Sequence, residues 1–499
     1  MNSPRQVIFI LSFFLSAGAF AQKLEVSAKG EPVNVYEFNK ANKTFPDPRV
    51  TFFNSRAKKA YTLYDFVDQK LIAGTWNDYM NLSSVTGITG FGQPGTSSHA
   101  GIELFASVEG KNFVFFTSEV PKSNEVTLYA MQLGDDLEVL GSPIVLERYT
   151  DIKTYGRTIA VVVSDDKKHF LIVRIYKRKN NTEPQKAECK VINSDFSQVW
   201  KNEFSFENGT RDVEFRNARL DENGNMLLLV AIATNNPFYE DNLNFTDVVY
   251  TYFHKSGNFK MLETGLAEGT NFGVSIEVKG STVFVAGLNR QKKSVNYFIQ
   301  RLNTDFETLE RLTYNPMPEN FFKKANWKIN EVGFWRVTDI LPLDNGLWVV
   351  AIESKVINGA RFLSFDTYLM AFTESGEHKW SYVIRKLQNF TESVKVGIHY
   401  ISAGNKIFAT YNDVNINLKR DVSQKAFITD AAYPYVITVQ EIDDKGNGKK
   451  YALMEGKENE GTTINIPESH KIDNTSSYST LEYYASRISY KRNIVITVK

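Results

Sequence analysis

The chain has almost no cysteine, and that scarcity sets its first boundary. Cys189 is the only one among 499 residues, so no intramolecular disulfide can form and stability must come from a large buried core. It sits in a strand-like run at 188–192, where a buried, inert thiol is the expectation. Net charge is nearly absent as well, with 58 basic residues against 57 acidic ones. A dedicated nucleic-acid binder needs a basic face to neutralise phosphates, so no nucleic-acid partner is expected. Beyond the N-terminus there is no apolar run long enough to cross a bilayer, and no integral membrane segment is expected. Histidine is scarce: His99, His169, His254, His378, His399 and His470 form no compact ligand spacing such as H-E-x-x-H. No G-x-S-x-G elbow occurs. No metal, cofactor or catalytic residue set is therefore expected. Carboxylates are too plentiful for spacing to select a glycosidase pair.

What is abundant is aromatic. Phe and Tyr contribute 36 and 24 residues, which favours strands over helices. At the N-terminus Arg5 precedes an apolar stretch at 7–15, and Ala19-Phe20-Ala21 fits an A-x-A cleavage pattern. Residues 1–21 thus read as a signal peptide. The mature protein is expected to be exported, to the periplasm or outside the cell, and monomeric. No Cys follows the cleavage site, which argues against a bacterial lipoprotein anchor. Residues 22–59, with Pro32, Pro46 and Pro48, read as an extended leader. Residues 60–499 read as one domain.

Within that domain one unit repeats. At 213–220 there is a strand, at 221–224 a turn, at 226–233 a fully apolar strand, and further strands follow at 247–253 and 259–262. The second strand recurs at Phe113, Phe170, Met226, Val283, Leu347, Ile407 and Ile494. The intervals are 57, 56, 57, 64, 60 and 87 residues, and a near-constant period marks a repeat architecture. Third strands recur at 127–133, 188–193, 247–253, 297–302, 367–372 and 435–442. Several copies pass through a polar turn to an aromatic residue, as in 193–200, ending at Trp200, and 373–380, ending at Trp380. At the chain ends, 60–67 and 70–76 look like a third and fourth strand. Residues 483–499 look like a first and second, turning at 490–492. Joined, the two halves complete one unit.

This pattern resembles an all-β, seven-bladed β-propeller of four-stranded antiparallel blades, closed by pairing of N- and C-terminal strands. The turn-to-tryptophan feature is loosely similar to quinoprotein-type repeats. In propellers the first strand of each blade lines the central channel. Aligned on their turns, these strands place Ala218 and Leu220 in an apolar row expected between blades. The alternate rows run Glu103, Ile159, Asn217, Gly273, Asp339, Gly397, Ala485 and Phe105, Val161, Arg219, Ser275, Leu341, His399, Arg487. They are expected to face the channel. Just upstream, Arg157, Trp335 and Arg336 are expected at one mouth, with Tyr155, Arg216, Asn271, Tyr483 and Tyr484. The candidate ligand-binding residues are therefore Glu103, Asn217, Arg219, Asp339, His399, Arg487, Arg157, Trp335 and Arg336. Arg would fork onto carboxylate or phosphate, and aromatics would offer flat apolar faces. The bland alternative is that these groups pair with each other and with water.

Three loops stand out: the Gly/Ser-rich stretch 87–101, the aromatic stretch 235–244, and 314–334 with Phe321, Phe322, Trp327 and three lysines. A polar excursion follows at 456–479. The first stretch lacks the lysine and helix of a P-loop. The expected function is an exported, non-enzymatic propeller binding a protein or carbohydrate partner through its loop face. The alternative is an enzyme (glycosidase, lyase or quinone-dependent oxidoreductase) with a site at the channel mouth. Propellers host many functions, so fold alone decides nothing here.

Overall fold

Most second strands are buried on both faces, because each sheet is sandwiched between two others. Met226–Ala233 shows the arrangement. Met226, Leu228, Val230 and Ile232 join one hydrophobic cluster, while Leu227 and Leu229 join the next. Residues two apart in a strand share a face, so one continuous apolar run serves two interfaces. In the computed structural model this arrangement repeats around a ring. Residues 22–499 are described, apart from 30, 43–49, 68–69, 92–99, 121–124, 151–157, 177–182, 207–210, 234–244, 263–268, 292–293, 306, 318–334, 392, 421–423, 430–433, 455–461, 465, 467–469, 472–475 and 486–487.

Among the described residues there are eight blades, not the seven expected from the repeat. Blade 1 runs from Val50–Asn54 through Lys59–Val67 and Lys70–Asn77 to Asn81–Ile88. Blades 2 to 7 begin at Ala100, Thr158, Val213, Thr270, Trp335 and His399 and follow the same first-to-fourth order. Blade 8 takes short first-strand pieces Thr463–Ile464 and His470–Lys471. Its second and third strands are Ser476–Ala485 and Ile488–Val498, and its fourth is Leu24–Lys29 from the other end of the chain.

The eighth blade has a specific origin. The hairpin at 60–76 is the second and third strand of a complete blade, whose first strand, Val50–Asn54, lies in the stretch read as leader. The C-terminal hairpin is likewise a second and third strand, turning between Ala485 and Ile488 rather than at 490–492. Two half-units were thus each completed by short strands of their own. Ring closure does come from terminal pairing: Leu24 lies opposite Val498. The backbones of Lys23 and Lys499 exchange hydrogen bonds of 2.9 and 3.0 Å.

Among the described residues eight hydrophobic clusters fill the eight interfaces, one each. The cluster described at the seam between blades 8 and 1 is built on Ala60 and Trp76 with Val33, Phe53, Tyr79 and Leu82 against them. Helix Val35–Asn42 lies beside it, with Phe38 edge-on to Tyr64 at 5.0 Å. Cys189 is fully buried between blades 3 and 4, and burial raises its thiol pKa.

The turn-to-tryptophan feature also has a physical role. Trp200, on the fourth strand of blade 3, donates its indole N–H to the Gly224 carbonyl of blade 4 at 3.3 Å. Trp380 of blade 6 does the same to Asp444 of blade 7 at 2.9 Å. Both receiving turns have the form Asp-x-x-Gly-Asn. The Asp443 carboxylate accepts from the Lys445 and Asn447 N–H groups and the Asn447 amide. Gly446 has φ of 80°, and a Cβ there would lie 2.9 Å from the Trp380 ring, so only glycine fits beneath the indole.

Candidate functional site

The inner wall does not follow the simple two-row alternation. The first strands of blades 2, 4, 5 and 6 each carry a β-bulge, between Ile102 and Leu104, Phe215 and Asn217, Phe272 and Ser275, and Val337 and Asp339. A bulge adds a residue and re-aims the side chains after it. The blades are also set radially, so both faces of a first strand meet neighbouring blades and only its edge borders the channel. Phe105 is accordingly buried toward blade 1, and Ile159 and Val161 toward blade 2. Leu341 is buried toward blade 7, while Ile340 turns toward blade 5. These four apolar members of the expected channel rows (Phe105, Ile159, Val161 and Leu341) are core residues. Ala218 and Leu220 do pack between blades 3 and 4.

The polar candidates are each held locally. Glu103 is the extra residue of its bulge, and its carboxylate accepts the Thr117 hydroxyl at 2.7 Å. Asn217 is exposed and accepts the Ala218 N–H at 2.8 Å. Arg219 lies 3.7 Å from Asp165 of blade 3 and 3.8 Å from Glu277 of blade 5. His399 reaches into blade 8, with Nε2 2.6 Å from the Ser477 hydroxyl. Asp339 is half-buried and Arg336 exposed. Trp335, expected at a rim, is instead 2% exposed in the core between blades 5 and 6. Its large apolar ring is better accommodated there than at a wet mouth. Arg157 and Arg487 lie outside the described residues, as do 92–99, 234–244 and 318–334.

An open cleft lies elsewhere, at the end of the ring where the first strands finish. It has a volume of about 560 Å³ and spans blades 1, 2 and 3. Phe52, Phe53 and Ser55 line it from blade 1, Glu109 and Gly110 from blade 2, and Asp166, Lys167 and Lys168 from blade 3. Tyr79 closes one side, its ring edge-on to Phe53 at 5.7 Å. Phe52 forms the floor, 4.0 Å from Phe105 between ring centroids. Blades 2 and 3 are joined beneath by a 3.3 Å hydrogen bond from the Glu109 N–H to the Lys167 carbonyl.

Both carboxylates in the cleft accept nearby hydrogen bonds. Glu109 accepts the Ser194 hydroxyl at 2.5 Å. Asp166 accepts the Ser164 hydroxyl at 2.6 Å and the Lys168 N–H at 3.2 Å, with the Lys168 amine 3.4 Å away. Burial alone would raise the Asp166 pKa, but these donors outweigh it and hold it below the usual value. No motif in the sequence points to this group, because its members are strand-end and turn residues contributed by three blades. The available signal is local: Asp78-Tyr79 occupies a tight turn with no glycine, closed by a 2.9 Å bond from the Met80 N–H to the Asn77 carbonyl.

A second polar cluster is sealed between blades 6 and 7. The Lys386 amine is fully buried, 2.6 Å from Glu353 and in contact with the Ser364 hydroxyl. Burial alone would raise the Glu353 pKa, but Lys386 and Lys355 hold its carboxyl below the usual range. Lys386, Glu353 and Ser364 are buried, and the part-exposed Lys355 completes the cluster 3.2 Å from Glu353. Among the described residues no group of three His, Cys, Asp or Glu side chains could hold a metal ion. No helix among them is long and apolar enough to cross a membrane.

No protein-family model matches the chain, and no curated protein does. Among solved structures it is similar to the WD40 domain of SCAP from fission yeast, at 10% identity over 95% of this chain and 98% of that one, with a TM-score of 0.39. It is similar to polysaccharide lyase Uly1 at 10% identity, over 83% of this chain and 93% of that one, with a TM-score of 0.40. Prolyl oligopeptidase B from Galerina marginata matches at 10% identity and a TM-score of 0.39, over 90% of this chain and 55% of that one. The chain thus spans about half the length of that oligopeptidase. At these scores the likenesses assign no activity. The propeller itself is established by the strand pairings and the eight filled interfaces.

Proposed function

We propose that this chain is an exported, non-enzymatic β-propeller that binds a protein or glycan partner at one end of its channel. The observation that carries the reading is the open cleft across blades 1, 2 and 3. Its volume lies within the roughly 300–1,000 Å³ usual for ligand sites. It combines half-buried aromatic rings with a few convergent polar groups, the composition of a recognition surface. The polar candidates of the inner wall, by contrast, are tied into contacts within and between blades, which favours a structural role for them. Export rests on the signal-peptide pattern of residues 1–21.

The test is a thermal-shift screen of the purified protein against oligosaccharides, peptides and acidic metabolites, with chromatography of each ligand afterwards. A ligand specific for the folded state raises the apparent Tm. The expected result is a Tm rise with one ligand class, the ligand recovered unchanged, and the rise abolished by Tyr79→Asn. Conversion of a ligand, lost on substitution of Glu103, Arg219, Asp339 or His399, would replace this reading with an enzymatic one. A screen with no Tm shift in any class would also overturn it.

A further inference from the structure

Three residues lining the cleft stand where their backbone resists them. Tyr79, Glu109 and Lys167 have φ of 66°, 50° and 55°, in the left-handed region that disfavours any residue with a Cβ. For a bulky aromatic such as Tyr79 this is costly, and here it belongs to the tight turn closed from Met80 to Asn77. Lys58, Asp78, Leu137, Phe196 and Glu307 adopt the same region outside the cleft lining, so the conformation aims the ring rather than marks a site by itself. Here the conformation sets the tyrosine ring beside Phe53 and over the cleft.

The chemistry of the lining narrows the ligand. Glu109 and Asp166 stand against Lys167 and Lys168, so two acids balance two bases and the cleft has no net demand for a charged guest. Donors and acceptors are interspersed: lysine amines and the Ser55 and Ser107 hydroxyls among the two carboxylates. A sugar ring matches this arrangement, since every hydroxyl both donates and accepts while its C–H face lies against an aromatic ring. An extended peptide fits poorly. Peptides dock most readily by adding a strand to a sheet edge, and the polar lining of this cleft comes mainly from turns, at Ser55, Glu109, Gly110 and 166–168.

We infer that the cleft binds the end of a neutral oligosaccharide, with Tyr79 and Phe53 as the stacking wall and Glu109, Asp166 and Lys168 as hydroxyl partners. This rests on the binding reading above and specifies its ligand class.

The experiment is saturation-transfer NMR on the full chain with cellotriose, maltotriose, mannotriose and chitotriose, and trialanine as the peptide counterpart. Tyr79→Asn is the diagnostic variant, because Asn tolerates the left-handed backbone while removing the ring. At least one trisaccharide is expected to bind. Tyr79→Asn is expected to weaken that binding about tenfold or more with no loss of Tm, and raising the salt should leave the affinity unchanged, since no ion pair forms. If no trisaccharide binds, or only trialanine does, the carbohydrate assignment is overturned. A ligand from the broader screen that Tyr79→Asn abolishes would then leave the binding cleft standing. Trisaccharide binding that survives Tyr79→Asn, or that falls with salt, overturns the site assigned here.

Discussion

Arg219 of blade 4 lies between Asp165 of blade 3 and Glu277 of blade 5, at 3.7 and 3.8 Å. One cation thereby bridges three consecutive blades. All three side chains are about a third exposed, and water screens such pairs. Arg219→Met is expected to cost under about 1 kcal/mol, with the difference shrinking at high salt. Urea denaturation at two ionic strengths checks both points. A loss of several kcal/mol would show that the bridge holds the ring together, contrary to this expectation.

The sealed Lys386–Glu353 pair behaves oppositely. Removing Lys386 leaves the buried Glu353 carboxylate with only the part-exposed Lys355, 3.2 Å away, as its cation, so Lys386→Met is expected to destabilise by up to about 3–5 kcal/mol. The double variant Lys386→Met, Glu353→Leu should recover a large part of that loss, because a buried ion pair gains little over well-packed apolar side chains. A double-mutant cycle in guanidinium chloride measures the coupling. Additive losses would sink this account.

Asp413 gives a pH signature. It is completely buried, and its carboxyl is pushed up to about 6, chiefly by burial, while Asn417 and the Val414 N–H pull the other way. In the unfolded chain the group titrates near 3.9. Between about pH 4 and pH 6 the folded state therefore holds the proton more tightly. Stability falls as pH rises through that window and stays lower above it, by up to about 3 kcal/mol. Asp413→Asn keeps an acceptor for Asn417 and Val414, so it should raise Tm at neutral pH and flatten the slope below pH 6. Melting curves across the range decide it, and an unchanged slope would refute the assignment.

Closure of the ring depends on the strand Leu24–Lys29. Leu24 is fully buried in the cluster between blades 7 and 8, and its N–H donates to the Tyr451 hydroxyl at 3.0 Å. Leu24→Ala should cost about 2–5 kcal/mol, comparable to Leu228→Ala in the middle of blade 4. The two differ in where the structure opens. Hydrogen exchange in the Leu24 variant should rise first in 476–498, whereas Leu228→Ala should loosen blades 3 and 4.

Trp380→Phe removes the indole donor to the Asp444 carbonyl but keeps the ring over Gly446. The expected loss is about 0.5–1.5 kcal/mol. Gly446→Ala should cost more, because the added Cβ meets both the ring and an unfavourable φ. Chemical denaturation of the two variants ranks them, and the reverse order would contradict the docking geometry.

The sequence by itself determined the unit of construction. A blade buried on both faces favours a second strand apolar on both, and runs such as 226–233 and 347–350 meet that demand, whereas the half-polar second strand of blade 8, 476–485, does not. The polar turn before Trp200 and Trp380 was legible for a related reason, since the indole has to meet a turn in the next blade. The Ala218 and Leu220 face was legible too, although a bulge stands just before it.

Only the tertiary structure decided the number of blades, the true inner wall and the cleft. Pairing Leu24 with Val498 joins residues 474 positions apart, and strands as short as 24–29, 50–54 and 463–464 carry too few residues for a period to show. A one-residue bulge in four first strands re-aims side chains that an even alternation would assign differently, and radial packing then buries Phe105, Leu341 and Trp335. The cleft is assembled from turns about one blade apart in sequence. Turns are constrained locally by backbone geometry, and nothing local to any one of them encodes which other turns will stand beside it once the ring has closed.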